Sequence, residues 1–202
     1  ATGSIDLGGD IQFTDVGPTI TVTPTDNATV ELSTSDAGGS AGSAEAFFAG
    51  AFTFTPTPGA DTATTSAVGY SLNITATPVQ GLVDSGLQTS VGDAPVYLYQ
   101  LVDGTVIGST ATTAPTDTTG AVFTLVVDSA GKVTLTQSVA LEHANGEDFS
   151  VDGDFADDVL TLTNGLIELE ATQTITDADG DTDTATGSID LGGDIQFTDV
   201  GP

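Results

Sequence analysis

The sequence contains no cysteine, methionine, tryptophan or arginine, and it has a single lysine, Lys132, and a single histidine, His143. The lack of cysteine excludes a disulfide scaffold, and a chain of 202 residues can bury an adequate core without one. Nucleic acid and anionic membrane surfaces are bound through positive charge, so the sequence argues against either as a direct partner. It shows no apolar run near the ~20 residues of a membrane helix and no signal-peptide pattern, so we expect a soluble polypeptide.

The same absences argue against an enzyme. A Ser-His-Asp triad would have to use His143, which has polar neighbours and no Gly-x-Ser-x-Gly motif, so we interpret it as a surface-loop histidine. Glycosidases need only two carboxylates, but sugar sites commonly add tryptophan platforms and arginine or histidine donors. Walker loops, dinucleotide fingerprints and histidine-based zinc motifs are also missing. We therefore expect no catalytic residues and no organic cofactor.

Acidic side chains dominate the charge. The sequence has 29 aspartates and glutamates and a formal net charge of −28. Many acidic chains are disordered, but 38% of these residues are hydrophobic and most of them alternate with polar residues, which predicts a folded domain. Two carboxylates about 4 Å apart near a protein surface repel each other by about 4 kcal/mol. Clustered aspartates therefore indicate either strongly shifted pKa values or bound cations, and we favour bound cations.

An exact internal repeat indicates the organisation of the chain. Residues 1–18 and 185–202 are identical, which defines a period of 184 residues. A period of this length is typical of an array of whole domains. We predict a linker or first strand segment at 1–18, one repeat at 19–184, and the start of the next repeat at 185–202. The expected partners are neighbouring repeats joined end to end, each of them monomeric.

Short alternating segments predict strands, and no convincing amphipathic helix appears. Asp103-Gly104 and the longer stretch Asp128–Lys132 each separate two such segments, which is typical of β-hairpins. The sequence therefore predicts an all-β fold, an immunoglobulin-like antiparallel β-sandwich. The Gly/Ala/Ser-rich stretch Ser35–Ala46 is either a long loop of one sandwich or a seam that makes 19–51 a separate sub-element. We favour the single sandwich.

The clearest candidate metal ligands lie between 177 and 183. Aspartates occupy every second position there, and Gly180 offers a turn that would bring their carboxylates together. Calcium takes six to eight oxygen ligands at about 2.3–2.6 Å, whereas magnesium tends to keep its waters. The glycine position and the missing final glutamate do not fit an EF-hand. The alternative is a solvated acidic turn. We favour a Ca²⁺ site with these ligands: Asp177, Asp179, Asp181 and Asp183.

The repeated segment adds further candidates at the junction between repeats. Its C-terminal copy supplies Asp190, Asp194 and Asp199, and its N-terminal copy supplies Asp6, Asp10 and Asp15. A Ca²⁺ ion shared between residues 177–183, which we call the acidic loop, and this repeated segment would fix the angle between neighbouring domains. This arrangement predicts a complete site at the C-terminal end and an incomplete one at the N-terminal end. The alternative for Asp15 and Asp199 is an ordinary turn aspartate bonded to its own backbone.

A second acidic cluster runs from Glu142 to Asp158. The run Asp152-Gly153-Asp154 is typical of a calcium loop, and Asp148 lies close to it in the sequence. The alternative is a solvated acidic loop. We include Asp148, Asp152 and Asp154 among the candidate ligands of several structural calcium ions.

Three segments stand out near the C-terminal end: Ala178–Ala185, Ile189–Gly193 and Phe197–Pro202. They resemble the repeat junctions of giant repeats-in-toxin (RTX) surface adhesins of Gram-negative bacteria, the LapA-like biofilm adhesins, which are built from extender domains. Looser similarity extends over most of 52–202, through Gly59–Asp61, Val68–Leu72, Val83–Leu87 and Val133–Gln137. The resemblance implies tandem β-sandwich extenders, calcium-dependent rigidity, type I secretion, and a place on the bacterial cell surface with an outer-membrane anchor elsewhere in the protein. The glycine-rich nonapeptides that name the class are absent from this sequence.

The functional expectation is a structural extender that Ca²⁺ makes rigid, so that it projects a distal ligand-binding domain for surface attachment and biofilm formation. The alternative is that this chain is itself a ligand-binding β-sandwich module for carbohydrate or another surface. The intact eighteen-residue duplication argues against a single-copy ligand domain. Short Thr-x-Thr runs would also permit ice binding, but they are irregular.

Overall fold

The computed structural model describes residues 2–5, 8–9, 14–25, 30–35, 42–143 and 159–198. Within these ranges the regular structure is β, apart from two single-turn 3-10 helices at Ala49–Ala51 and Gly192–Asp194. The prediction of an all-β chain with antiparallel sheets is confirmed. In the same ranges no helix has the length and apolar character needed to cross a membrane.

The described residues form fifteen strands. In chain order they are β1 (Thr19–Pro24), β2 (Leu32–Ser35), β3 (Ser43–Phe47), β4 (Phe52–Thr57), β5 (Ala63–Thr65), β6 (Gly69–Ile74), β7 (Val83–Gln88), β8 (Pro95–Gln100), β9 (Val106–Ser109), β10 (Phe123–Val127), β11 (Lys132–Gln137), β12 (Val159–Thr161), β13 (Ile167–Asp177), β14 (Thr182–Asp190) and β15 (Ile195–Thr198). A six-stranded sheet has the order β3-β11-β10-β9-β8-β7. The other sheets are β1-β4, β12-β15-β2, and β13 with β14 along one edge and β5 and β6 along the other. All these pairs are antiparallel except β15 with β2.

The two predicted hairpins are present, and local chemistry explains both. Between β8 and β9, Gly104 takes a φ of 88°, which glycine adopts without steric cost. The Leu101 amide donates to the carbonyl oxygen of Thr105 at 2.8 Å, which closes this turn. Between β10 and β11, Gly131 takes a φ of 71°.

The aspartate in the second hairpin provides a test of pH dependence. Asp128 Oδ1 accepts hydrogen bonds from the amides of Ala130 (2.8 Å) and Lys132 (3.0 Å). These backbone donors lower the pKa of the Asp128 carboxyl below its usual 3.8, and the Lys132 amide has the largest effect. The depressed pKa stabilises the fold at pH values above 3.8, and this contribution is lost as the pH falls through the folded-state pKa.

We therefore expect Asp128→Asn to unfold at a slightly lower temperature than the wild type at pH 7. The difference should shrink as the pH is lowered towards 3, because the wild-type carboxyl then becomes neutral as well. Thermal unfolding of both proteins at several pH values measures this difference. A difference that stays constant from pH 7 to pH 3 would show that the charge of Asp128 does not contribute.

Most strands contribute to one main core. The side chains of Phe48, Phe123 and Phe197 are fully buried there, although they come from the start, middle and end of the chain. The rings of Phe123 and Phe197 are in contact, with their centroids 5.2 Å apart. Strands β1, β2 and β3 pair with β4, β15 and β11 respectively, so 19–51 is built into the same sheets as the rest of the chain. That the whole chain forms one sandwich stays a prediction.

The domain boundary differs from the one that we predicted at residue 184. Strand β14 runs through this position without interruption, and β15 lies between β12 and β2 in the middle of their sheet. Residues 185–198 therefore belong to this domain and do not begin the next one. Residues 1–14 carry the same sequence as this final segment. The structural repeat is consequently 15–198, whose length equals the period of 184 residues.

Candidate metal centre

The candidate site starts where strand β13 ends. The buried positions of β13 are Ile167, Leu169, Ala171, Ile175 and Asp177, so the two-residue period of the strand carries Asp177 onto the core-facing side. Asp177 is only 7% exposed. A carboxylate at such a position needs donors or a cation to replace its water.

The turn after Asp177 supplies part of that replacement. Asp177 Oδ1 accepts hydrogen bonds from the amides of Gly180 (3.1 Å) and Asp181 (2.8 Å). The Asp177 amide donates to the carbonyl oxygen of Asp181 at 3.0 Å, which closes the β13–β14 hairpin. Gly180 has a φ of 102°, a backbone conformation that residues with a side chain rarely adopt. This tight turn holds Asp177, Asp179 and Asp181 together at the hairpin tip.

A fourth aspartate reaches this tip from the N-terminal side. Residues 15–18 lead into β1, whose Ile20 packs with Ile175 and Ala185 of the hairpin in one buried cluster. The amide of Ala60 donates to the carbonyl oxygen of Val16 at 3.0 Å. Gly59 approaches Val16 so closely that a Cβ at residue 59 would overlap its carbonyl oxygen. These contacts hold the linker against the domain and bring Asp15 to the hairpin tip.

These residues form what we call the aspartate cluster: Asp15, Asp177, Asp179 and Asp181. One carboxylate oxygen from each lies within 4.8 Å of those of the other three. Ligands on opposite sides of an ion bound at 2.3–2.6 Å are separated by about 4.6–5.2 Å, so the spacing fits a coordination sphere of this size. Asp177 is buried and the other three are exposed, which leaves room for water to complete the sphere. The aspartate cluster can therefore hold a metal ion.

Cationic side chains do not compensate the aspartate cluster. The single lysine, Lys132, forms an ion pair with Glu45, with 3.0 Å between Nζ and Oε1. Four carboxylates within 4.8 Å of each other therefore share one site without a basic neighbour among the described residues. Repulsion of this kind is relieved by a bound cation.

Three other predicted ligands lie outside the aspartate cluster. Asp183 uses Oδ2 to accept the amide of Ile20 at 2.8 Å, which fixes the start of β1. Asp190 accepts the amides of Gly165 (2.7 Å) and Gly192 (2.9 Å) and so holds the segment that follows β14. Asp194 is buried, at 8% exposure, in the 3-10 turn before β15.

The structure also corrects the expected arrangement of the junction. The acidic loop and Asp190 lie at opposite ends of β14, about 27 Å apart at the usual rise per residue, so they cannot share an ion. The acidic loop instead lies beside Asp15. Asp15 belongs to the N-terminal copy of the repeated segment, which we expected to have no acidic loop next to it. The predicted ligands Asp10, Asp148, Asp152, Asp154 and Asp199 lie outside the described residues. His143 is 8% exposed, so our interpretation of it as a surface-loop residue is wrong.

The fold and the aspartate cluster define the class: an all-β domain with a candidate metal site where the N-terminal linker meets a hairpin tip. The chain belongs to the family described as Domain of unknown function (DUF5801), which matches residues 20–192. No curated protein and no solved structure matches the chain.

Proposed function

We propose that this domain is a structural repeat of an extracellular tandem array, an extender of the RTX-adhesin type that Ca²⁺ makes rigid. The observation that carries the proposal is the position of the aspartate cluster. Three of its ligands belong to the folded domain, and the fourth, Asp15, belongs to the segment through which an adjoining repeat would connect. An ion bound there would tie the connecting segment to the domain.

The phase of the repeat, meaning the residues at which each structural unit starts and ends, supports this proposal. The structural unit ends at Thr198, and the next residue, Asp199, is the copy of Asp15. In an array, Asp199 would occupy in the following repeat the position that Asp15 occupies here. Each connection would then contain one aspartate of the linker and three of the following domain. Repetition of such connections produces length, and a bound ion at each one limits bending.

Calcium is the metal that we propose, because hard carboxylate oxygens and a partly open site suit it. Before Ca²⁺ binds, repulsion among the four carboxylates opposes closure of the linker on the hairpin tip. Binding removes this repulsion and adds the binding free energy to the stability of the folded state. In this proposal the domain is not an enzyme, and its partners are adjacent repeats of the same protein outside the cell.

Thermal unfolding in Ca²⁺ and in excess chelator tests the proposal, with Mg²⁺ as the control ion. At a free Ca²⁺ concentration about 100 times the Kd, one site adds about 2.7 kcal/mol to the free energy of unfolding. For a domain of this size, that corresponds to a rise of about 5–10 °C in the midpoint. A rise in Ca²⁺ that Mg²⁺ does not reproduce is the expected result. Equal midpoints in Ca²⁺ and in chelator would reject the proposed ion.

A further inference from the structure

Four of the strands form one long two-stranded ribbon. Strands β12 and β13 follow each other in one stretch of chain, 159–177, and β14 and β15 follow each other in another, 182–198. The two stretches run antiparallel and pair with each other except at one short turn in each. We call this pair of stretches the terminal ribbon. One of its ends is the hairpin tip, and the other is the pair of Val159 and Thr198.

The chain enters the structural unit at one end of the terminal ribbon and leaves it at the other. Asp15 lies at the hairpin tip, and the unit ends with Thr198. A tension applied through the adjoining segments therefore acts between the two ends of the ribbon. Between these ends the backbone runs directly from Asp181 through β14 and β15 to Thr198. We call this stretch the direct route.

The direct route can hardly lengthen. Most of it is strand, which rises about 3.2–3.4 Å per residue, close to the limit of about 3.3–3.6 Å for a stretched chain. Its last strand, β15, pairs with β12 and with β2, and the side chains of Ile195 and Phe197 are fully buried. Tension along the strand axis loads all the hydrogen bonds of both ladders together, so β15 is firmly anchored.

Strand β1 attaches the entering chain to the direct route. The Ile20 amide donates to Asp183 Oδ2 at 2.8 Å, and the Ile20 side chain packs with Ala185. Val22 lies beside Gly187, where an added Cβ would be 3.0 Å from the valine side chain. These contacts advance along β1 and β14 together, so the two strands run side by side, away from the tip. Tension on the entering chain therefore pulls β1 along its own axis.

The entry side is the weaker attachment when no ion is bound. Among the described residues β1 pairs with β4 alone, and Ile20 is its one buried side chain. Asp15 precedes β1, so tension reaches the aspartate cluster before it reaches this strand. An ion that ties Asp15 to Asp181 would pass the tension to the first residue of the direct route.

The six-stranded sheet lies beside the direct route and not on it. Its strands are β3 and β7 to β11, and none of them belongs to β1 or to the terminal ribbon. The sheet touches the ribbon through side chains, as in the contact of Phe123 with Phe197. Tension along the ribbon therefore has no need to pass through this sheet.

We propose that the domain is a load-bearing unit in which tension passes from the entering segment through the bound ion and β1 into β14 and β15. The six-stranded sheet stays unloaded until β1 is released. The proposal rests on the proposed function for the ion and for the array. In an array, each repeat would transmit tension along its terminal ribbon, and the core beside the ribbon would remain folded.

Force spectroscopy on the full chain, held at two introduced cysteines, tests this load path, because the sequence has no cysteine of its own. The on-route pair is Gly3→Cys with a cysteine added after Pro202. A Cβ at Gly3 has no other heavy atom within 4 Å. The off-route pair replaces Gly3→Cys by Val102→Cys, at a fully exposed position that follows β8 of the six-stranded sheet. Each pair is stretched at constant force in Ca²⁺ and in excess chelator.

With the on-route pair in chelator, we expect a short first step before the core unfolds. It should measure at most about 33–36 Å, the stretched length of the ten residues Asp15–Pro24. At free Ca²⁺ about 100 times the Kd, the rate of this step should fall by up to about 100-fold, because the ion must dissociate first. The off-route pair does not load β1, so it should show no short step in either solution.

The variant Asp15→Asn separates the load path from a general gain in stability. It removes the ligand of the entering segment and leaves the three carboxylates of the hairpin tip. With the on-route pair, its short step should occur as readily in Ca²⁺ as in chelator. The control is Asp84→Asn, whose carboxylate accepts the Gly86 amide outside the aspartate cluster. This control should keep the slow step in Ca²⁺.

Thermal midpoints of the same chains distinguish failure of the load path from failure of the proposed function. A midpoint that rises in Ca²⁺ while the short step is not slowed overturns the load path alone. Equal midpoints in Ca²⁺ and in chelator overturn both. The load path is also wrong if the on-route pair unfolds in chelator in one long step, or if the off-route pair shows the same short step.

Discussion

Replacement of Phe123 by alanine should lower the free energy of unfolding by about 3–5 kcal/mol, the usual cost of truncating a buried phenylalanine. The midpoint should fall by roughly 6–20 °C for a domain of this size. Phe123 is fully buried on β10, and its ring contacts Phe197, with 5.2 Å between the centroids. The substitution leaves a cavity beside residue 108, which pairs with Phe123 on the neighbouring strand. Residue 108 is a glycine and has no side chain to fill the cavity; an added Cβ there would overlap the phenylalanine ring.

The control for this prediction is Val126→Ala on the same strand. Val126 is 46% exposed, so its truncation removes little buried surface and should change the free energy of unfolding by less than about 1 kcal/mol. Denaturant unfolding of the wild type and both variants compares the two losses directly. Equal losses would mean that the main core does not centre on the contact between β10 and β15.

Features set by neighbouring residues could be predicted from the sequence. Asp103-Gly104 predicts a hairpin because glycine tolerates the positive φ that the turn requires, and that turn is present between β8 and β9. The alternation along β13 predicts a strand with one buried face. Pro56 pairs with Ile20 inside β4, which among the described residues lies in a two-stranded sheet with β1. An edge strand tolerates proline, because one side of it needs no amide donor.

Features that depend on distant residues could not be predicted. An exact duplication gives the period of a repeat but not its phase, because every starting point along the chain gives the same period. The start and end of the repeat follow from the position of β15 between β12 and β2, which only the fold shows. Asp15 and Asp177 are likewise joined by packing of Ile20 against Ile175, a contact between residues far apart in the sequence. The even spacing of the loop aspartates predicted three members of the aspartate cluster together with Asp183. Asp183 lies outside the aspartate cluster and accepts the Ile20 amide.

The double variant Asp177→Asn and Asp181→Asn should remove the calcium-dependent rise of about 5–10 °C that one site provides. Asparagine at 177 keeps an oxygen that can accept the amides of Gly180 and Asp181, so the turn should persist while the charge is lost. Removal of two charges also relieves repulsion in the aspartate cluster, so the variant should be no less stable than the wild type in chelator. The quantity to compare is the midpoint in Ca²⁺ minus the midpoint in chelator, which cancels other effects of the substitutions.

The matched control is the pair Asp84→Asn and Asp117→Asn, which removes the same charge from positions elsewhere in the domain. Asp84 and Asp117 bond the amides of Gly86 (2.9 Å) and Thr119 (2.8 Å), and neither belongs to the aspartate cluster. This control should keep the full calcium-dependent rise. If both double variants keep the rise, the stabilising ion is bound elsewhere, and Asp148, Asp152 and Asp154 become the ligands to replace next. If both lose it, calcium acts through net charge and not through a site, because the two pairs share only the charge that they remove.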